Sequence, residues 1–107
     1  MANVYVTQET PLDFSKAEEY GELVFLSVNR SDDFHNIVNS EHNKRLMAHL
    51  AHGLKEFNEE EDFIVVTGSP YVRAAVMWIL GRKQVRKVKF LRWDNQQNTY
   101  IPLTLTY

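Results

Sequence analysis

Phe63-Ile64-Val65-Val66-Thr67-Gly68-Ser69-Pro70, running without a break into the apolar stretch Tyr71 to Leu80, is the segment from which the rest of the chain is read. Four consecutive apolar residues, three of them β-branched, suit a strand buried on both faces. Thr67 and Gly68 then turn the chain, Ser69 can cap a helix, and Pro70 fits the first helical position. The Ala, Met and Leu content up to Leu80 favours a helix too apolar to be exposed on more than one side, with Gly81 as its natural stop. Strand, tight turn and helix in this order are the building unit of an α/β sheet.

Towards the N-terminus, Val4 to Thr7 are β-formers and predict a short first strand. Thr10, Pro11, Asp13 and Ser15 break that pattern, and the acidic stretch Lys16 to Glu22 follows. Leu23 to Val28 is a second apolar run of strand length. Its core, Leu23 to Leu26, is expected beside Phe63 to Val66 at the centre of the sheet, because both runs read as strands apolar on both faces. The segment from Asn29 to Asp33 reads as a loop. From Ile37, the residues Leu46, Met47, Leu50, Leu54 and Phe57 recur at helical spacing; Ser40 marks the start of the helix, with Ser31 as the alternative cap. Glu59 to Asp62 is an acid run of the kind that forms a solvated loop. Towards the C-terminus, Val85 to Trp93 and Thr99 to Tyr107 alternate as strands around Asp94 to Asn98, a hairpin. The fold class is therefore α/β: a single domain over residues 1–107, a mixed β-sheet with two main helices packed on it, in the order β-β-α-β-α-β-β.

The length of 107 residues with 44% hydrophobic side chains leaves no room for a second domain and suffices for one modest core. Without cysteine, disulfide scaffolds and thiolate zinc sites are excluded. The longest apolar run, Ala74 to Leu80, is far below the roughly 20 residues that span a bilayer, and the N-terminus carries no basic-then-apolar signal, so no membrane is expected and the location read is the cytoplasm. Charge is unevenly divided. Residues 1–67 hold five basic and thirteen acidic side chains, residues 68–107 seven basic and one acidic. Such asymmetry suits a nucleic-acid surface, complementary faces in an oligomer, or plain solubility.

Three candidate sites follow. The turn Thr67-Gly68-Ser69 opens a helix whose first N–H groups are free to meet an anion, and Arg73, one turn in, can add a bidentate contact. A phosphate-bearing small ligand suits that chemistry; the same residues also make an ordinary capped helix, and neither Gly-x-Gly-x-x-Gly nor Gly-Lys-Ser/Thr is present. His42 is the candidate base beside it. His42, His49 and His52 share one helix but complete no metal-ligand spacing, so neither metal nor cofactor is expected. Arg82, Lys83, Arg86, Lys87, Lys89 and Arg92, interleaved with Phe90 and Trp93, form the nucleic-acid candidate. Strand alternation splits these charges between two faces, which suits protection of an edge better than a nucleic-acid groove. Finally, Ile101, Leu103, Leu105 and Tyr107 alternate with Tyr100, Pro102, Thr104 and Thr106. An edge strand apolar on both faces calls for cover, and a homodimer is expected.

Several segments together resemble a group of small proteins of tailed bacteriophages and prophages: Val4 to Glu9, Ala17 to Leu26, Asp62 to Pro70, and Lys89 to Asp94 with Tyr100 to Pro102. The likeness covers most of the chain in the same order, departs over Asn29 to Phe57, and implies a phage origin without a mechanism. The small viral ring nucleases that degrade cyclic oligoadenylate signals are similar in layout, with a histidine near the start of the first long helix and a Gly turn before the second. His42 and Gly68 fall at those places, but the Gly-His pair of that family is Glu41-His42 here and its Gly-Asp pair is Gly68-Ser69. The expectation is a small phage-encoded accessory protein that works by binding a host or phage protein. The alternative is a phosphate-ligand or cyclic-oligonucleotide-cleaving protein using the Thr67 to Pro70 turn, and the third is a nucleic-acid binder using residues 82–92.

Overall fold

A computed structural model describes residues 2–28 and 32–107. The strands are β1 (Asn3–Val6), β2 (Glu22–Phe25), β3 (Phe63–Val65), β4 (Lys87–Asp94) and β5 (Thr99–Thr106); the helices are α1 (Glu41–Gly53) and α2 (Pro70–Arg82), and a 3-10 helix covers Ser15–Tyr20. One sheet holds all five strands in the order β2-β1-β3-β4-β5. The pairs β1–β2, β1–β3 and β3–β4 are parallel, and β5 returns antiparallel to β4. This is the mixed sheet with two main helices that the sequence predicts.

The layers follow from the direction of each crossover. From β1 the chain moves to one side, into β2; from β2 through α1, and from β3 through α2, it moves to the other. Right-handed crossovers therefore place both helices on one face and the 3-10 helix on the opposite face. Side-chain alternation agrees. Tyr5, Leu26 and Ile64 pack with Leu46, Leu50 and Leu54 of the α1 region and Val72, Val76 and Leu80 of α2. Val4, Val6, Val65 and Leu91 pack on the other face with Phe14, Ala17 and Tyr100.

Three sequence expectations are corrected. Leu23 to Leu26 is not beside Phe63 to Val66: β1 lies between them, and β2 is an edge strand. Its apolar run is explained by cover rather than by centrality, for Val24 packs under the helices while Leu23 and Phe25 pack on the opposite side, where the Phe14 and Phe25 rings meet at 5.7 Å. Nor does Gly81 stop the second helix. It lies inside α2, at an exposed position with no neighbour within 4 Å of a β-carbon; the chain turns at Gln84, which takes a left-handed φ of 62°. Asp62 ends the acid run but is buried, its carboxylate accepting the N–H of Asn3 at 2.9 Å and that of Asn58 at 2.8 Å.

Ser40 caps α1 by accepting the Asn43 N–H at 3.2 Å. The alternative cap, Ser31, lies outside the described residues, as do residues 29 and 30 of the predicted loop. Leu46, Leu50 and Leu54 form the buried stripe as spaced, while Ile37 precedes the helix and is exposed.

Candidate functional site

β1 and β3 are neighbours whose chains leave the sheet in opposite directions, so the crevice beyond their carboxyl ends is the place where open α/β sheets take ligands. Thr7, Gln8, Thr67, Gly68 and Ser69 stand there. The Thr7 hydroxyl donates to the Thr67 carbonyl at 2.6 Å and accepts the Thr67 N–H at 2.9 Å, and the Thr67 hydroxyl donates to the Gln8 carbonyl at 2.7 Å. Gln8 Oε1 accepts the Ser69 N–H at 2.8 Å. Two donors at the start of α2 are thus answered from within the chain, as Ser69 Oγ also accepts the Tyr71 N–H at 3.2 Å. Gly68, at φ 88°, is needed twice over: the conformation disfavours other residues, and a β-carbon would overlap the Gln8 side chain. Arg73 is half-buried one turn further on, its Nε out of solvent and without a hydrogen-bond partner.

The structure brings His42 to this crevice through one intermediary. Asp33 offers its carbonyl to His42 Nε2 at 2.8 Å and accepts the Ser69 hydroxyl on Oδ1 at 2.8 Å. The His42 ring also stacks on His35, centroids 4.0 Å apart and planes 7° from parallel. Sequence reasoning passed over Asp33 and His35 because both lie in an irregular segment, where spacing carries no information. His49 and His52 are exposed on α1, and among the described residues no group of three or more His, Cys, Asp or Glu gathers to hold a metal ion.

The basic segment is dispersed and partly engaged. Lys83, just past α2, reaches across to the end of α1, where its ammonium donates to the Leu54 carbonyl at 2.7 Å. Lys87 pairs with Glu60 at 2.5 Å, which holds the Glu60 carboxyl below its ordinary range, and Lys89 donates to the Glu60 carbonyl while lying 4.4 Å from the centre of the Phe63 ring. Arg82, Arg86 and Arg92 are exposed. The register sets Arg92 opposite Ile101, and alternation puts it on the face of Val88 and Phe90, away from Lys87 and Lys89.

A second concavity lies beside β4. β3 ends at Val65, its last ladder pair with β4 being Ile64 and Phe90, while β4 continues to Asp94. Where the strands part, a groove of about 720 Å³ opens, walled by Leu12, Val66, Trp93, Leu103 and Leu105, with Arg92 on its rim. Leu12 is 62% exposed and Leu105 55%. Lys16 stands 5.9 Å from the Trp93 ring and donates to the Asn98 carbonyl, and Trp93 Nε1 donates to Asn95 Oδ1 at 2.9 Å. Tyr100, at the base, has its hydroxyl pKa raised by burial and by the nearby Asp13 charge. The sequence did carry a signal: a four-residue apolar run next to a nine-residue alternating one means neighbouring strands of unequal length.

Among the described residues no helix is long and apolar enough to cross a membrane. No curated protein and no solved structure matches the chain. A family model does, over residues 2–107, and the chain belongs to the family of Phage Pam3 gp32-like proteins.

Proposed function

We propose that this phage-encoded chain is an accessory protein of the infected cell's cytoplasm that works by binding a protein through the β3–β4 groove. The observation that carries the reading is the groove itself: some 720 Å³ of mostly apolar concavity in a chain of 107 residues. Ligand sites are concave, largely apolar and furnished with a few placed polar groups, here Lys16, Arg92 and Asp13. The test is recovery of partners on the tagged full chain from infected host cells, with Leu103→Asp alongside. A partner held by the parent and lost at least tenfold by the variant, at a comparable melting temperature, supports the reading. Equal recovery by both contradicts it.

A second reading is favoured by the Asp33 bridge between His42 and Ser69. In it the crevice takes a phosphate-bearing ligand, a cyclic oligonucleotide included, at Thr67, Gly68, Ser69 and Arg73, with His42 as base. Gln8 Oε1 occupies the Ser69 N–H, so ligand entry requires Gln8 to swing out. A nucleotide that raises the melting temperature, with cleavage lost in His42→Ala at unchanged binding, supports it. Use of residues 82–92 for nucleic acid has less support, because Lys83, Lys87 and Lys89 already have partners within the chain.

A further inference from the structure

Resting on the groove reading above, we propose that the groove takes its partner as an extended peptide segment carrying a carboxylate, added as a short strand to β4 between Leu91 and Asp94. Backbone parity sets which edge of β4 each main-chain group faces. The Tyr107 N–H donates to the Arg86 carbonyl at 2.9 Å, which fixes 86 and 107 as a hydrogen-bonded pair; with the uninterrupted register from Lys87–Thr106 to Asp94–Thr99, residues 88, 90, 92 and 94 then aim their main-chain groups at β5. Lys89, Leu91 and Trp93 aim theirs at the β3 side. No ladder pairing joins β4 to β3 beyond Phe90 among the described residues, so the stretch around Trp93 is an unpaired strand edge inside an apolar cleft.

Each part of the site selects a feature of the ligand. A strand edge asks for main-chain donors and acceptors, which an extended polypeptide supplies and a lipid or nucleotide does not. The walls, Leu12, Val66, Leu103 and Leu105, ask for apolar side chains at alternate positions. Arg92 and Lys16 bring two cations to the groove against the one carboxylate of Asp13, which already accepts the Ser15 N–H at 2.9 Å; among the described residues Arg92 has no carboxylate partner. Charge complementarity therefore calls for an Asp, a Glu or a peptide C-terminus.

The outer edge of the sheet is a poorer acceptor of a strand. By the same parity, Tyr100, Pro102, Thr104 and Thr106 aim outwards from β5, and Pro102 at its centre has no N–H to give. The interior edge lacks that block.

The experiment selects heptapeptides from a displayed random library on the purified full chain and follows the best binder by amide NMR and hydrogen exchange. The expected result is alternating apolar sequences with an Asp or Glu, shifts centred on Leu91 to Asp94, at least tenfold slower exchange at Trp93, and loss of binding when alternate peptide nitrogens are methylated. Arg92→Glu lowers affinity at least fivefold. Methylated peptides that bind equally well overturn strand addition, while loss of the same peptide in Leu103→Asp leaves the groove reading standing. A chain that sediments as a dimer, and as a monomer in Leu103→Asp, makes a second copy the occupant and overturns the proposal.

Discussion

Gln8 Oε1 lies 2.8 Å from the Ser69 backbone nitrogen, so the side chain that follows β1 fills the place in front of α2 where an anion would otherwise sit. The same carboxamide donates from Nε2 to the Asp32 carbonyl at 2.9 Å, tying the segment before α1 to the crevice. Removing it leaves the partly buried Ser69 N–H and the Asp32 carbonyl without this partner. Gln8→Ala is expected to cost about 1–3 kcal/mol, read as a lower denaturation midpoint at unchanged slope.

Gly68→Ala meets two penalties, a left-handed φ of 88° and overlap with Gln8. The conformation alone costs about 1–2 kcal/mol, and the overlap adds to it. Thermal melting of Gly68→Ala against Gly81→Ala checks this directly, since Gly81 is helical and open and alanine there is neutral to stabilising by up to about 1 kcal/mol.

Asp62 holds two backbone donors, of Asn3 and Asn58, from a buried position. Asp62→Ala orphans both and is expected to cost about 2–4 kcal/mol, while Asp62→Asn keeps one acceptor oxygen and loses less. Urea unfolding of the three chains gives the order parent, Asn, Ala.

Tyr5 and Tyr100 have raised hydroxyl pKa values, each chiefly through burial, with Asp62 adding to the first and Asp13 to the second. The folded chain therefore releases these protons later than the unfolded chain. Their contribution is complete below the ordinary tyrosine value near 10 and is lost as pH rises through the folded values. Stability measured from pH 8 to 12 should fall above about 10, and the double variant Tyr5→Phe with Tyr100→Phe should fall less steeply. An unchanged slope contradicts the assignment.

How much of this could be read from residues alone depended on the kind of information each feature carries. Phe63 to Pro70 announced strand, turn and helix because burial, glycine and capping chemistry coincide within eight residues. Ser40 announced α1 for the same reason. Strand order was not legible: the apolar content of Leu23 to Leu26 reports cover on two faces, and an edge strand lying between the α1 layer and Phe14 has that cover as fully as a central one. The crevice was half legible. Gly68 and Ser69 could be singled out, whereas Gln8 and Asp33, which complete it, come from other segments and meet Ser69 only through the parallel pairing of β1 with β3 and the docking of the segment before α1. The groove was the least legible, because it is made by an absence of pairing, which no single residue encodes.

In the proposed function the partner sits in the groove where β3 and β4 part, against Leu103. A photo-crosslinking amino acid placed at position 103, and separately at Trp78, which is 63% exposed on the outer surface of α2, reads this in infected cells. In the proposed function position 103 yields an adduct whose mass differs from that of two copies of the chain, and position 78 yields none. An adduct from position 78 alone, or none from position 103 in a chain that is folded and abundant, contradicts it.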